Sequence, residues 1–191
     1  MTSTTPLLVE LSEEDFTEIQ RIAKAYIRDA KRCKQGKAYI AGCVMAGAAL
    51  EALLCLMVAC YIDEVNLLLH NGSNYMQKLQ KKDLHNWTLE NFLLVAKKIG
   101  WLPYTLEAGI NGQSRDHWNS KKARIGDYSE IVRIMRNCVH PKSYMKEHRH
   151  KRFTANHLDH ALEIVSCIED HLYHSHLAPS IIEALQDERQ I

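Results

Sequence analysis

Four polar residues in one short stretch have the types and the spacing that could do chemistry. Arg133, Arg136, Asn137 and His140 lie within RIMRNCVHPKSY (133–144) at intervals of three and four residues, so they share one side of a helix. An imidazole with a pKa of about 6.5 can take up or release a proton near neutral pH. A guanidinium matches the oxygens of a phosphate with two parallel hydrogen bonds. The stretch therefore predicts a site that binds a phosphate group and can move a proton beside it.

These residues belong to a predicted helix that ends at His140. Asp127 or Ser129 can cap its start, and Pro141 ends it because proline disfavours helical angles in the residue before it. A cationic histidine at a helix C-terminus is stabilised by the helix dipole, so we expect His140 to be readily protonated near neutral pH. The apolar face of the helix is formed by Ile131, Ile134, Met135 and Val139.

Length and composition indicate one soluble helical domain that carries this helix. The 191 residues are 46% hydrophobic and 25% charged, and they include only eight Gly and four Pro. Long Ala, Leu, Glu and Lys stretches with few alternating β-branched runs predict an all-α, single-domain helical bundle over 1–191. Residues 1–11 are expected to be a flexible N-terminus, and 179–191 a C-terminal tail helix.

Capping and turn residues predict where the other helices begin and end. Ser12 can cap a first helix, Asn71-Gly72 favours a turn, and Gly100 can close a helix that Thr88 opens. Helices are therefore expected at 12–36, 38–62, 63–79 with a break at the turn, 88–100 and 154–172, with a loop or short irregular helix at 107–122.

The helix at 38–62 is nearly all apolar and should lie at the centre of the bundle. Its length would also allow it to span a membrane, but Glu51, its only charged residue, would be costly at mid-span. Burial on nearly all sides explains the composition without lipid, and five small residues would let neighbouring helices approach closely: Gly42, Ala46, Gly47, Ala48 and Ala49. A buried carboxylate needs a partner, so we expect Glu51 to pair with Arg133 or Arg136 in a structural role.

Basic residues are concentrated around the motif. The segment 115–152 has eleven Lys and Arg against four acids, a net charge of +7, whereas the remainder of the chain carries −6. Such an excess is typical of a surface that binds a polyanion, although a solvated loop would have the same composition. The side chains of this segment that are expected to contact the polyanion are Lys142, Tyr144, Lys146, Arg149, Lys151 and Arg152.

Three strings in the chain resemble the HEPN-like superfamily. They are AGAALEALL (46–54), TLENFLLVAKKIGWLP (88–103) and RIMRNCVHPKSY (133–144), and a basic loop and a capped helix follow them. The resemblance implies a helical bundle that dimerises through its motif helices. In many members it also implies a metal-independent RNase whose motif is an Arg, four to six residues and then a His.

The resemblance assigns candidate catalytic roles to the four polar residues. His140 matches the family's His, and Arg133 precedes it by the family spacing, with six residues between them. Arg136 precedes Asn137, as in the common Arg-Asn form, but only three residues separate Arg136 from His140. His140 would take the ribose 2′-OH proton or protonate the leaving oxygen, and an arginine would stabilise the phosphorane. Asn137 would hold a phosphate oxygen or orient the imidazole, and no metal or other cofactor is expected.

Two classes of function fit these residues. The first is an RNase of the toxin or defence type that acts with an antitoxin or another protein partner. The second is a non-catalytic module that binds RNA, nucleotide or a protein. In that case the motif is structural, because an arginine can pair with a buried carboxylate and a His-Pro pair can cap a helix. A homodimer is expected with its axis near the helix at 128–140.

Other patterns predict neither a membrane location nor a metal site. The first ten residues, MTSTTPLLVE, lack the basic and apolar regions of a signal peptide. The six cysteines include no CxxC pair, which favours a reduced, cytoplasmic protein. Two histidine groups have helical spacing, His157 with His160 and His171 with His174 and His176, yet crowded surface histidines are the simpler interpretation.

Overall fold

The part of the chain that the structure describes is built from α-helices and contains no strand. The computed structural model describes residues 11–102, 132–133, 136–137, 140–142, 145 and 153–175, the side chains of 167, 168 and 171–175 excepted. The helices are α1 (Glu13–Gln35), α2 (Tyr39–Cys60), α3 (Ile62–Asn71), α4 (Asn74–Gln80), a 3-10 turn (Leu84–Asn86), α5 (Leu89–Ile99) and α6 (Ala155–Ser175). The predicted all-α class is therefore confirmed.

Most of the predicted helix ends are confirmed by local hydrogen bonds. The Ser12 hydroxyl accepts from the Asp15 amide at 3.0 Å and caps α1. At the start of α5 the Thr88 amide donates to the Asn91 side-chain oxygen at 3.0 Å, which is one half of a capping box. Gly100 closes α5 with φ of 89°, a left-handed conformation that favours glycine.

Helix α2 lies at the centre and packs against α1, α5 and α6. Thirteen of its 22 residues are buried, so its apolar composition is explained by burial, as predicted. By length and composition it is also the one described helix that could cross a membrane, but 67% of its most apolar stretch is buried inside the protein. Three neighbouring helices hold α2 in place. It can therefore position any further element that packs on its remaining face.

The boundary between α2 and α3 differs from the prediction. Helix α2 ends at Cys60 rather than at 62, because Tyr61 leaves the helical conformation with φ of −120° and ψ of 38°. The Tyr61 amide still donates to the Met57 carbonyl at 3.1 Å, and its ring packs on Trp101 with centroids 5.7 Å apart. The sequence has neither Gly nor Pro at this point, so no local signal marks the break.

The described residues between 132 and 145, here called the motif segment, pack on α2. Val132 and Arg133, and then Arg136 and Asn137, are helical, and the chain bends at His140 before it becomes helical again at Pro141. The predicted helix end at His140 is therefore confirmed. Val132 is fully buried. Residues 1–10, the predicted loop at 107–122 and the predicted tail helix at 179–191 lie outside the described residues.

Candidate functional site

An open cleft lies where the motif segment meets α2 and the start of α5. We call it the motif cleft; its volume is about 460 Å³. All four candidate catalytic residues line it. The described residues that line it are Val44, Glu51, Trp87, Thr88, Leu89, Glu90, Arg133, Arg136, Asn137 and His140. Residues that are far apart in the sequence are thus brought to one site by the packing of α5 and the motif segment on α2.

Glu51 and Arg136 form an ion pair at the wall of the cleft. Arg136 Nη1 lies 2.6 Å from Glu51 Oε2, and the side chains are 32% and 23% exposed respectively. The backbone of Leu89, at the first turn of α5, also lowers the pKa of the Glu51 carboxyl. The prediction that Glu51 pairs with one of the two arginines is confirmed. This ion pair links α2 to the motif segment.

Gly47 lets the motif segment approach α2 closely. It precedes Glu51 by one helical turn, on the same side of α2. A Cβ atom added at Gly47 would lie 2.6 Å from Arg136 Cβ and 2.9 Å from Arg136 Cδ, closer than carbon atoms pack. The stem of Arg136 therefore lies on Gly47 while its guanidinium reaches Glu51. The predicted close approach at Gly47 is confirmed.

The two carboxylates of the cleft sit in different surroundings. Burial raises the pKa of Glu51, and the charge and hydrogen bond of Arg136 and the Leu89 amide offset this only in part. Glu90 is 70% exposed, and its Oε2 lies 3.7 Å from Arg133 Nη1. An exposed pair at that distance contributes little to stability. Each arginine of the motif thus contacts a carboxylate, at 2.6 Å for Arg136 and at 3.7 Å for Arg133.

The raised pKa of Glu51 predicts a pH-dependent contribution to stability. The folded state holds the Glu51 proton more tightly than the unfolded chain, whose pKa is near 4.5, so this contribution falls as the pH rises through the folded pKa. Glutamine cannot titrate. We therefore expect the free energy of unfolding of the wild type, relative to Glu51→Gln, to decrease as the pH rises above about 4.5. Urea unfolding across this range measures the difference, and a difference independent of pH would contradict the prediction.

His140 is the most open of the candidate catalytic residues. Its side chain is exposed, whereas Arg133, Arg136 and Asn137 are half-buried. The His140 amide donates to the Asn137 carbonyl at 3.0 Å, which fixes the bend of the chain. An imidazole in this position can reach a molecule that enters the cleft from solvent.

The predicted RNA contacts are only partly described. Lys142 is exposed and lies two residues after His140, but it does not line the motif cleft. Tyr144, Lys146, Arg149, Lys151 and Arg152 lie outside the described residues. A groove that continues from His140 along this basic segment therefore stays a prediction.

Trp87 also lines the cleft. The residue is 5% exposed, and its ring packs against Phe92 with centroids 5.3 Å apart. The indole Nε1 is buried and has no hydrogen-bond acceptor among the described residues.

Other reactive groups are not arranged for chemistry in the described residues. No group of three or more His, Cys, Asp or Glu side chains there could hold a metal ion. Burial raises the pKa of the Cys55 thiol to about 12, with a further contribution from the Glu51 charge, and that of Cys60 to about 11. Both thiols are therefore protonated near neutral pH and behave as small apolar groups.

Comparisons with known proteins do not extend these observations. Neither protein-family models, nor curated proteins, nor solved structures gave a match to this chain. The resemblance to the HEPN-like superfamily therefore rests on the three sequence strings alone. The function has to be argued from the chemistry of the motif cleft.

Proposed function

We propose that the motif cleft binds RNA and cleaves it without a metal ion, as the resemblance to the HEPN-like superfamily implies. The observation that supports this is the convergence of Arg133, Arg136, Asn137 and His140 on one open cleft. These residue types supply a proton-transfer group, fixed cations and a neutral hydrogen-bonding group, which is what phosphodiester transfer to a neighbouring hydroxyl requires.

In the proposed reaction the ribose 2′-oxygen attacks the adjacent phosphorus. The O2′–P bond forms, the P–O5′ bond breaks, and the products carry a 2′,3′-cyclic phosphate and a 5′-hydroxyl. His140 takes the 2′-OH proton or protonates the leaving 5′-oxygen, and water serves the other transfer. Arg136 and Arg133 stabilise the negative charge that accumulates on the phosphorane oxygens.

The carboxylates of the cleft do not prevent arginine from serving this role. A guanidinium has five N–H donors, and Glu51 lies closest to Nη1 of Arg136, so other N–H groups can meet a phosphate. Glu51 then orients the guanidinium. The contact of Arg133 with the exposed Glu90 is 3.7 Å long and correspondingly weak.

Binding and cleavage can be tested separately with one pair of oligonucleotides. We expect the protein to bind a labelled single-stranded RNA with an affinity that falls as salt rises, at a logarithmic slope of about −0.7 for each phosphate contact. Cleavage should persist in EDTA and leave the cyclic phosphate. The matched 2′-O-methyl oligonucleotide, which lacks the attacking hydroxyl, should bind and stay intact. Absent or salt-independent binding would refute the proposal.

A second function is favoured by the firm Glu51–Arg136 pair. An arginine held 2.6 Å from a carboxylate also stabilises the fold, so the cleft could bind RNA, a nucleotide or a protein partner without turnover. Salt-dependent binding of RNA that stays intact would favour this second function. The RNase function would suit a cytoplasmic toxin or defence protein paired with an antitoxin, and both assignments stay proposals.

A homodimer about the motif helices also stays a proposal. Its motivation was the apolar stripe beside the polar motif, which would need cover from a partner. Val132 is fully buried within a single chain and needs no such cover. The residues of the predicted stripe, Ile131, Ile134, Met135 and Val139, lie outside the described residues.

A further inference from the structure

We propose that Glu90 is a second catalytic residue of the motif cleft, whose carboxylate takes the proton of the attacking ribose 2′-hydroxyl. This inference rests on the RNA cleavage proposed for the same cleft. It assigns the two proton transfers to two side chains, the leaving oxygen to His140 and the attacking oxygen to Glu90. Neither the motif nor the family resemblance gives Glu90 a role.

The proposed reaction needs proton transfers at two different oxygens. As the O2′–P bond forms the 2′-oxygen loses its proton, and as the P–O5′ bond breaks the 5′-oxygen gains one. One imidazole cannot be the base and the acid of the same step. His140 is the one histidine among the described residues that line the cleft. A second side chain in the cleft would serve the other transfer better than water, because it is already in place.

Two carboxylates line the described part of the cleft, and they differ in access. The Glu51 side chain is 23% exposed and lies 2.6 Å from Arg136. The Glu90 side chain is 70% exposed. A base has to come within about 2.6–3.2 Å of the oxygen whose proton it takes. The open carboxylate of Glu90 can do so, whereas that of Glu51 is already occupied by an arginine.

The position of Glu90 beside Arg133 places it near a bound phosphate. Glu90 Oε2 lies 3.7 Å from Arg133 Nη1. A guanidinium has five N–H donors, so Arg133 can hold a phosphate oxygen while it stays near this carboxylate. The 2′-hydroxyl belongs to the same nucleotide as the phosphate that it attacks. A carboxylate beside the arginine that holds the phosphate is therefore also beside this hydroxyl.

The chemistry of the two groups decides which is the acid and which the base. Free glutamate and histidine side chains have pKa values of about 4.3 and about 6.5. Between these values a carboxylate is mostly ionised and accepts a proton, while an imidazole is mostly protonated and donates one. The proton therefore passes from the 2′-hydroxyl to Glu90 and from His140 to the 5′-oxygen. Exchange with water restores both groups after the products leave.

Glu90→Gln is expected to slow cleavage about 10²- to 10⁴-fold. Affinity for the 2′-O-methyl oligonucleotide should not fall, because the substitution removes a negative charge from the cleft. Glu18→Gln is the matched control. Glu18 is also an exposed carboxylate paired with an arginine, Arg21, but it lies on α1 and does not line the cleft. Its substitution should leave both the cleavage rate and the affinity unchanged.

The pH dependence of the rate distinguishes a base from a residue that only positions Arg133. The wild-type single-turnover rate should rise as the carboxylate ionises and fall as the imidazole loses its proton. Glu90→Gln should lose the rising limb, and Glu90→Asp should keep it. The other charged or titratable residues of the cleft are unchanged in these variants: Glu51, Arg133, Arg136 and His140. A purely positioning role would lower the rate of Glu90→Gln and keep its rising limb.

A substrate with sulfur in place of the bridging 5′-oxygen distinguishes the base from the acid. A thiolate leaves without being protonated, so this RNA needs a base but no acid. It should restore His140→Ala to within about tenfold of the wild type, whereas Glu90→Gln should stay slow. With this RNA the wild type should lose the falling limb of its pH dependence and keep the rising one.

The outcomes separate this inference from the proposed function. Slow cleavage by Glu90→Gln without its rising limb, and without recovery on the sulfur substrate, supports the inference. A wild-type rate, a retained rising limb or recovery on the sulfur substrate overturns the role of Glu90 and leaves the RNase function standing. If the wild type binds RNA but does not cleave it, the inference and the RNase function both fail, and RNA binding remains.

Discussion

Replacing Gly47 with alanine is expected to lower the free energy of unfolding by about 1–2 kcal/mol and to reduce the affinity for RNA about tenfold. The new Cβ atom would lie 2.6 Å from Arg136 Cβ, and this inner part of the side chain cannot move without the helix that carries it. The motif segment must shift away from α2, which lengthens the 2.6 Å contact between Arg136 and Glu51. The better helix propensity of alanine, about 1 kcal/mol, offsets only part of this cost.

Gly42→Ala is the matched control for this prediction. Its added Cβ would lie 2.5 Å from Leu158 Cδ2 and 3.2 Å from Cys33 Cβ, so it crowds the contact of α2 with α6 and α1. We expect lower stability in urea unfolding but an unchanged affinity for RNA. Equal loss of affinity in both variants, or an unaffected Gly47→Ala protein, would show that Gly47 does not position Arg136.

His140→Ala is expected to reduce RNA cleavage by about 10²- to 10⁴-fold while changing the free energy of unfolding by less than about 0.5 kcal/mol. The large effect follows from the loss of the proton-transfer group, and the small one from the exposure of its side chain. Single-turnover rates in EDTA measure the first and urea unfolding the second. If the protein is a toxin, the substitution should also relieve the growth defect caused by expression.

Two further variants make the His140 result specific. His85→Ala removes an exposed histidine from the 3-10 turn, outside the cleft lining, and should leave the cleavage rate unchanged. Arg136→Lys keeps a cation beside Glu51 but loses the paired N–H groups, so cleavage should fall about 10²- to 10³-fold. A wild-type rate in His140→Ala would exclude the proposed reaction.

Features of the fold that depend only on residues close together in the sequence were predictable. Ser12, Thr88 and Gly100 satisfy or terminate backbone groups within a few residues, so their types indicate helix ends without knowledge of the fold. The pairing of Glu51 was predictable for a different reason. A carboxylate in a buried apolar helix has to find a cation, and the motif offered two.

Features that depend on packing were not predictable. The spacing of Arg133 and Arg136 did not show which one meets Glu51, because that choice follows from the contact of Arg136 with Gly47. The presence of Trp87 in the lining of the motif cleft depends on how α5 packs beside the motif segment, which no local pattern encodes. The break at Tyr61 has no Gly or Pro to signal it, and the ring contact with Trp101 spans forty residues.

Helix α2 shows how a chain can specify the angle at which a helix is rotated about its own axis. An amphipathic helix is oriented by its apolar side, but α2 is apolar all round, so hydrophobicity leaves its rotation undetermined. Two glycines, which have no side chain, specify the rotation of α2. Gly42 makes room for Leu158 and Gly47 makes room for Arg136, and the two glycines lie about 140° apart around the helix axis. Glu51, which pairs with Arg136, lies about 40° from Gly47 around the same axis. Three positions thus encode an orientation that the other residues of the helix leave free.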